Sequence, residues 1–216
     1  MPDSDRTVVY LIRHGQTAWN VEEVFRGRAD VPLDEQGRRQ AHAVAQALTN
    51  DAVSAVYSSP LQRAALTAQP IASAHGVETQ IEERLTDLHF GEWEGKPLTE
   101  VRATWPDVFA RWERDPGSVT FPGGESLPVV RRRALAAIED IAARHVGQAV
   151  AAVSHRVVTK VLLCAVLGLD DSHFWQIRQD TACINRIERL PDTWVVTSMN
   201  DVCHLRALSA ARLRDF

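Results

Sequence analysis

The tripeptide Arg13-His14-Gly15, at the end of the apolar run Val8-Val9-Tyr10-Leu11-Ile12, sets a nucleophile beside a forked cation. A neutral imidazole attacks through its unprotonated ring nitrogen, and a guanidinium matches the paired oxygens of a phosphate. That pairing points to phosphoryl chemistry. Three more places read as a phosphate-competent residue just after a strand: Ser58-Ser59-Pro60-Leu61-Gln62-Arg63, Leu85-Thr86-Asp87 and Ser154-His155-Arg156. Taken singly, each has an ordinary structural reading, since a buried histidine is more often a satisfied core residue than a nucleophile. Taken together, they supply what a phosphate monoester requires. Its charge of nearly −2 calls for forked donors, which Arg13 and Arg63 provide; His155, if protonated, adds another, and the departing alkoxide needs a proton. His14, His155 and Asp87 can also be read as metal ligands. Adjacent arginines oppose that reading, because they repel a cation and already neutralise phosphate; no metal and no cofactor is expected.

These residues must be delivered by secondary structure. Thr7 to Arg13 reads as a strand buried on both faces, a helix is expected from about Asp34 to Asn50, a strand from Val53 to Ser58, and a helix from Leu61 to about His75. The alternation predicts parallel strands with helical crossovers. The second half repeats it: Ser126 is a plausible N-cap for a helix running to His145, followed by a strand from Gln148 to Ser154, a buried helix from Val157 to Leu167, and late strands at Cys183–Arg189 and Trp194–Ser198. The expected fold is a three-layer α/β/α sandwich with a mostly parallel central sheet. Ligands of such sheets collect at the carboxyl ends of the strands, where Arg13 and His14 stand. Residues 1–216 read as a single domain. From about residue 92 to 124 lies an excursion rich in tryptophan and proline with two short helical stretches, a segment suited to a wall over the site or to surface decoration.

Composition bounds the partners. The chain has 216 residues, a formal charge of −4, and 24 basic residues of which 22 are arginine, with both signs interspersed. Nothing in that balance calls for nucleic acid or an anionic membrane. Cys164, Cys183 and Cys203 lack metal-type spacing and suit reduced thiols. The N-terminal residues lack the basic start and apolar stretch of a signal peptide, and the longest apolar segment, Val161 to Leu167, falls far short of the roughly 20 residues that cross a bilayer. A soluble, cytoplasmic protein with a small-molecule partner is expected. A homodimer is open, although no stretch demands one.

The ordered set Arg13-His14-Gly15-Gln16-Thr17-Ala18-Trp19-Asn20, Leu33-Asp34-Glu35-Gln36-Gly37-Arg38, Tyr57 to Ala64, Phe90-Gly91-Glu92-Trp93-Glu94-Gly95, Gly123-Gly124-Glu125-Ser126 and Val153-Ser154-His155 resembles the histidine phosphatase superfamily, the phosphoglycerate-mutase-like proteins. The likeness runs over nearly the whole chain and is closest to its metal-independent phosphatase branch. It implies a two-step reaction through a phosphohistidine on His14, with His155 facing that nucleophile across the phosphate and Asn20 donating a neutral hydrogen bond. Gln16, Thr17 and Arg26 are further substrate-binding candidates from the stretch that passes the pocket mouth. Asp87 falls at the position of the family's general acid, where it would be kept protonated by the phosphate and by burial. Two departures stand out. The family usually has glutamate where this chain has Asp87, so Glu92 and Glu94 stand as alternatives, and Arg156 follows the second histidine where many relatives have glycine. Arg26 and Arg28 can meet a second anionic group or face solvent, and His204 can fold over the site or simply pack.

The leading expectation is a phosphomonoesterase acting on a small soluble metabolite, with phosphoserine among the candidate substrates. A 2,3-bisphosphoglycerate-dependent phosphoglycerate mutase is the rival, disfavoured because Arg102, Arg111 and Arg114 of the excursion are separated and not paired. A catalytically silent phosphate-binding regulatory module is the alternative of another class.

Overall fold

The computed structural model describes residues 5–208. In chain order its elements are β1 (Thr7–Arg13), α1 (Ala18–Val21), α2 (Glu35–Leu48), β2 (Val53–Ser58), α3 (Gln62–His75), β3 (Thr79–Ile81), α4 (Leu98–Thr104), α5 (Pro106–Arg114), α6 (Leu127–Arg144), β4 (Ala149–Ser154), α7 (Arg156–Val166), β5 (Ile184–Arg189) and β6 (Trp194–Asp201). The strands form one sheet in the order β3-β2-β4-β1-β5-β6. The β1–β4, β2–β4 and β2–β3 pairs are parallel, whereas β1–β5 and β5–β6 are antiparallel.

The pleat explains why β1 is apolar without interruption. Val9 and Leu11 enter one core, and Val8, Tyr10 and Ile12 enter the other, so both faces are covered. α2 and α3 cover the second face through Val44, Leu48, Ala64, Ala68 and Ile71. α6, α7 and the aromatic excursion cover the first. The result is a mostly parallel sheet between helical layers.

Strand register positions the chemistry. Arg13 pairs with Ser154 across β1–β4, and Ser58 pairs with Val153 across β2–β4. Three strand ends therefore meet at one sheet edge, and His14, Ser59 and His155 each follow directly. Close backbone packing fixes the first of these turns: a Cβ on Gly15 would lie 2.5 Å from the Gly37 carbonyl oxygen, and one on Gly37 would lie 2.0 Å from that of Gln16. Only glycine fits at either place.

Two local features differ from the sequence expectation. Asp87 follows a single 3-10 turn, Glu83–Leu85, and not a strand; Glu82 accepts from the Arg84 amide and side chain, a local alternative to ladder pairing. The short edge strand β3 carries no apolar alternation and was not legible. Ser126 does occupy the N-cap of α6, but its side chain makes no capping bond.

The excursion packs inward. Trp93 and Trp112 are fully buried, both against Phe121 at ring-centroid distances of 4.9 and 5.2 Å, and Trp93 also meets Phe25 at 5.1 Å. Trp93 thereby ties the segment to the loop after α1. Among the described residues no helix is long and apolar enough to cross a membrane. Truncation of Trp93 to alanine is expected to cost about 3–5 kcal/mol of stability, measured by urea denaturation; a loss below about 1 kcal/mol would mean that the segment is surface decoration.

Candidate active site

His14 is held on all sides by main chain. Its amide donates to the Ser154 carbonyl at 3.0 Å, its carbonyl accepts from the Ala182 amide at 3.1 Å, and the next amide, Gly15, donates to Thr67 Oγ1 at 3.0 Å. The ring is 1% exposed, and Nδ1 lies 2.7 Å from the Gly15 carbonyl oxygen. A carbonyl can only accept, so Nδ1 carries the proton. Burial first, then the positive charge of Arg63 and its neighbours, hold the His14 pKa well below its ordinary value. The ring is therefore neutral, and Nε2 presents a lone pair.

His155, fully buried, tilts against His14 with ring centroids 5.3 Å apart. Its Nε2 lies 2.7 Å from Ser59 Oγ. Ser59 Oγ also accepts from the Leu61 amide at 3.3 Å, and a hydroxyl that donates to His155 Nε2 completes its bonding. That arrangement puts the His155 proton on Nδ1, which faces Asp87 Oδ2 at 3.6 Å, too far for a hydrogen bond. Nδ1 has no hydrogen-bond partner among the described residues. Burial, followed by Arg63, Arg26, Arg133 and Arg13, depresses this pKa as well, so His155 is a neutral donor.

Asp87 lies 5% exposed beside both groups. Its Oδ2 accepts from Arg63 Nη2 at 3.2 Å, and its Oδ1 from the Leu88 amide at 3.0 Å. With no strand to hold it, the segment is fixed from α6. Arg133 donates to the carbonyls of Arg84, Thr86 and Asp87 at 2.7, 2.6 and 3.0 Å, and Glu125 balances its charge at 3.0 Å. Glu94 instead accepts from the Phe90 and Arg28 amides, both at 3.0 Å, and Glu92 is exposed. Of the three candidate acids, Asp87 is the one in contact with Arg63 and His155.

Arginines line this space. Arg63, fully buried on α3, reaches the Ala29 and Gly27 carbonyls at 2.8 and 2.6 Å, and Asp30 accepts from the Gln62 amide at 2.7 Å. The helix start and the loop after α1 thus hold one another. Arg13 donates from Nη1 to the Gln179 carbonyl, and Gln179 in turn exchanges hydrogen bonds with the buried Asn185 side chain, both 2.8 Å long. Arg26 and Arg156 are buried and share a cleft with Asp87, Phe25, Phe90 and Val157. Arg28 is exposed and paired with Glu125 at 3.1 Å.

The remaining candidates divide. Asn20 Oδ1 accepts from the Thr17 amide and hydroxyl at 2.9 and 3.0 Å, which leaves the amide NH2 of that side chain as its donor, with no acceptor among the described residues. Gln16 is turned to Asp34, donating to Oδ2 at 2.9 Å. His204 Nε2 lies 3.0 Å from the Ala182 carbonyl oxygen, in the backbone layer beneath His14. Ser59, Arg133, Glu125 and Gln179 were not singled out from sequence as chemistry. Ser59 and Glu125 fall inside the motifs that carry the family resemblance, whereas Arg133 and Gln179 had no sequence signal. Among the described residues no three histidine, cysteine or acidic side chains gather to hold a metal.

Residues 9–202 match the family model described as histidine phosphatase superfamily, branch 1. The chain belongs to the histidine phosphatase superfamily. This histidine phosphatase is 38% identical over 195 residues to phosphoserine phosphatase 1 of Hydrogenobacter thermophilus, covering 90% of this chain and 92% of that protein. It is 32% identical to a probable phosphoglycerate mutase GpmB of Yersinia pestis, over 91% of this chain and 94% of the relative. Its fold is similar to that of YhfR from Bacillus stearothermophilus, with a TM-score of 0.88 at 34% identity over 92% of this chain and 99% of the other.

The depressed histidines have a consequence for stability. Below pH 6.5 the unfolded chain takes up protons that folded His14 and His155 refuse, so stability is present above that pH and lost as pH falls through it. Each is expected to contribute a loss on the order of 1 kcal/mol between pH 8 and pH 5.5. Denaturation curves at the two pH values should therefore show a smaller difference for His155→Gln than for the wild type; equal differences would show that His155 protonates freely in the fold.

Proposed function

We propose that this protein hydrolyses small soluble phosphomonoesters in two steps, with His14 as nucleophile. The observation that carries the reading is the His14 Nδ1 bond to the Gly15 carbonyl, because it makes Nε2 a lone-pair donor in a buried, arginine-lined space.

The phosphoryl group is received by Arg13, Arg63, the Asn20 amine and the His155 Nδ1–H. His155 acts best here as a neutral donor: its Nε2 is engaged by Ser59, and surrounding guanidinium groups disfavour a further positive charge. His14 Nε2 then attacks phosphorus as the ester P–O bond breaks, and the leaving alkoxide takes the proton of Asp87. A monoester has its second pKa near about 6, so a monoanionic substrate can bring that proton in with it. In the second step Asp87 accepts a proton from water, whose oxygen attacks phosphorus and breaks the P–N bond. Inorganic phosphate leaves and His14 returns to its starting state. The shorter aspartate is compatible with this role because Arg133 fixes its backbone, leaving the carboxylate against Arg63. Gln16 and Thr17 support the pocket from behind, through Asp34 and Asn20. No metal is required, since the guanidinium groups supply the neutralising charge.

Phosphoserine is a fitting substrate, supported by the relative at 38% identity. Cysteines 164, 183 and 203 are unpaired, which favours a reducing, cytoplasmic setting. The mutase reading draws on the relative at 32% identity, but it needs the phosphoryl group shielded from water and returned to the substrate. The experiment is phosphate release from p-nitrophenyl phosphate and from phosphoserine, in the presence of chelator. Wild type is expected to turn over and His14→Ala to lose at least about 10³-fold. Equal rates would remove His14 from the chemistry, and rapid interconversion of 2- and 3-phosphoglycerate with little free phosphate would favour the mutase.

A further inference from the structure

The peptide plane between His14 and Gly15 is held at both ends, and one end leads back to His204. Its N–H donates to Thr67 Oγ1 at 3.0 Å, and its C=O accepts from the Ala182 amide at 3.1 Å. Ala182 is an unusual residue for that task. It is fully buried, with φ at +55°, in the left-handed region where a side chain crowds its own backbone and glycine is the ordinary occupant. Such a conformation persists where surrounding contacts hold it. The turn is anchored before and after Ala182: the Asp180 amide donates to Asn200 Oδ1 at 2.7 Å, and the Cys183 carbonyl accepts from the Arg13 amide at 3.2 Å. At Ala182 itself the carbonyl lies 3.0 Å from His204 Nε2. A carbonyl only accepts, so the His204 proton is on Nε2. His204 belongs to the 3-10 segment Cys203–Leu208 that follows β6, where Leu205 packs on the second core.

We infer that His204 is a positioning residue for the nucleophile: its Nε2–H fixes the Ala182 carbonyl, and the Ala182 amide in turn fixes the His14–Gly15 peptide. The assignment rests on the phosphatase reading given above. What passes through this pair of bonds is orientation, not charge. The held peptide leads directly into the Gly15 carbonyl that takes the His14 Nδ1 proton, so a turn of the plane moves the acceptor that aims the ring. Glycine at 15 has no side chain to resist such a turn. The side chains of Arg13 and Arg63 are held by other carbonyls, those of Gln179, Ala29 and Gly27, and keep their grip on phosphate without His204. Loss of the Nε2–H therefore slows attack and leaves substrate binding largely unchanged.

The test uses the full chain with His204→Gln, which returns an N–H donor at the place of Nε2, and His204→Phe, which keeps the ring volume and removes the donor; His204→Ala serves as a second donor-free variant. Rates are taken on p-nitrophenyl phosphate and expressed per folded molecule. The donor-free variants should lose roughly 10- to 100-fold in kcat, with KM changed by less than about 3-fold. His204→Gln should stay within about 5-fold of wild type in kcat, since one neutral donor replaces another. Nitrogen-15 spectra of the imidazoles give a readout that needs no turnover: the His14 ring signals, assigned by their absence in His14→Gln, should move in His204→Phe and stay in place in His204→Gln. The reverse order of rates, with Phe retaining activity and Gln losing it, would show that His204 only packs. That result, equal losses in both, or unmoved His14 signals in the donor-free variants would overturn the assignment. A wild type that turns over beside an undiminished His204→Phe would sink this inference alone. A wild type inert to every phosphomonoester would sink the phosphatase reading, and the His14 spectra would still decide whether His204 positions that ring.

Discussion

The site depends on positive charge buried around a neutral nucleophile. Arg13, Arg26, Arg63 and Arg156 are all shielded from water, and after burial itself the charges of Arg63, Arg26 and Arg13 depress both histidines. Two consequences follow from that single arrangement. His14 stays unprotonated, hence nucleophilic, without a catalytic base beside it. In the proposed reaction a phosphate would meet donors whose desolvation was completed during folding, groups that need not reorganise as charge is transferred.

Such a cluster has to be held against its own repulsion, and the main chain does most of the holding. Arg63 grips carbonyls of the loop after α1, Arg13 grips the Gln179 carbonyl, and Arg133 grips three carbonyls around Asp87. Each bond spends a guanidinium donor on a fixed backbone oxygen. The side chain is thereby oriented by neutral oxygens, with Asp87 beside Arg63 and Glu125 beside Arg133. The three-strand register beneath supplies the frame: it sets His14, Ser59 and His155 side by side with little freedom to drift.

Much of this was legible in the sequence because it is local. The uninterrupted apolar run of β1, the span Val53–Ser58 and the order of motifs identified the layers and brought His14, Arg63, Asp87 and His155 forward. What was illegible is long-range. Ser59 meets His155 across 96 residues, and Arg133 reaches the Asp87 segment from 46 to 49 residues away; neither contact has a spacing signature. Arg26 and Arg28 look alike in sequence, and only the fold separates an exposed Arg28 paired with Glu125 from a buried Arg26. A 3-10 turn stands between β3 and Asp87, and Arg133 bonds the carbonyls of that segment from outside.

The central claim is that the phosphoryl group passes through His14. The direct measurement is rapid quenching of the slowed Asp87→Asn variant during turnover of a phosphomonoester, followed by mass analysis of the peptide that holds residue 14. The account calls for one phosphoryl group on His14, lost in acid and retained in base. Phosphoryl found on Ser59 or another residue, or turnover with no phosphorylated enzyme at any time point, would contradict it.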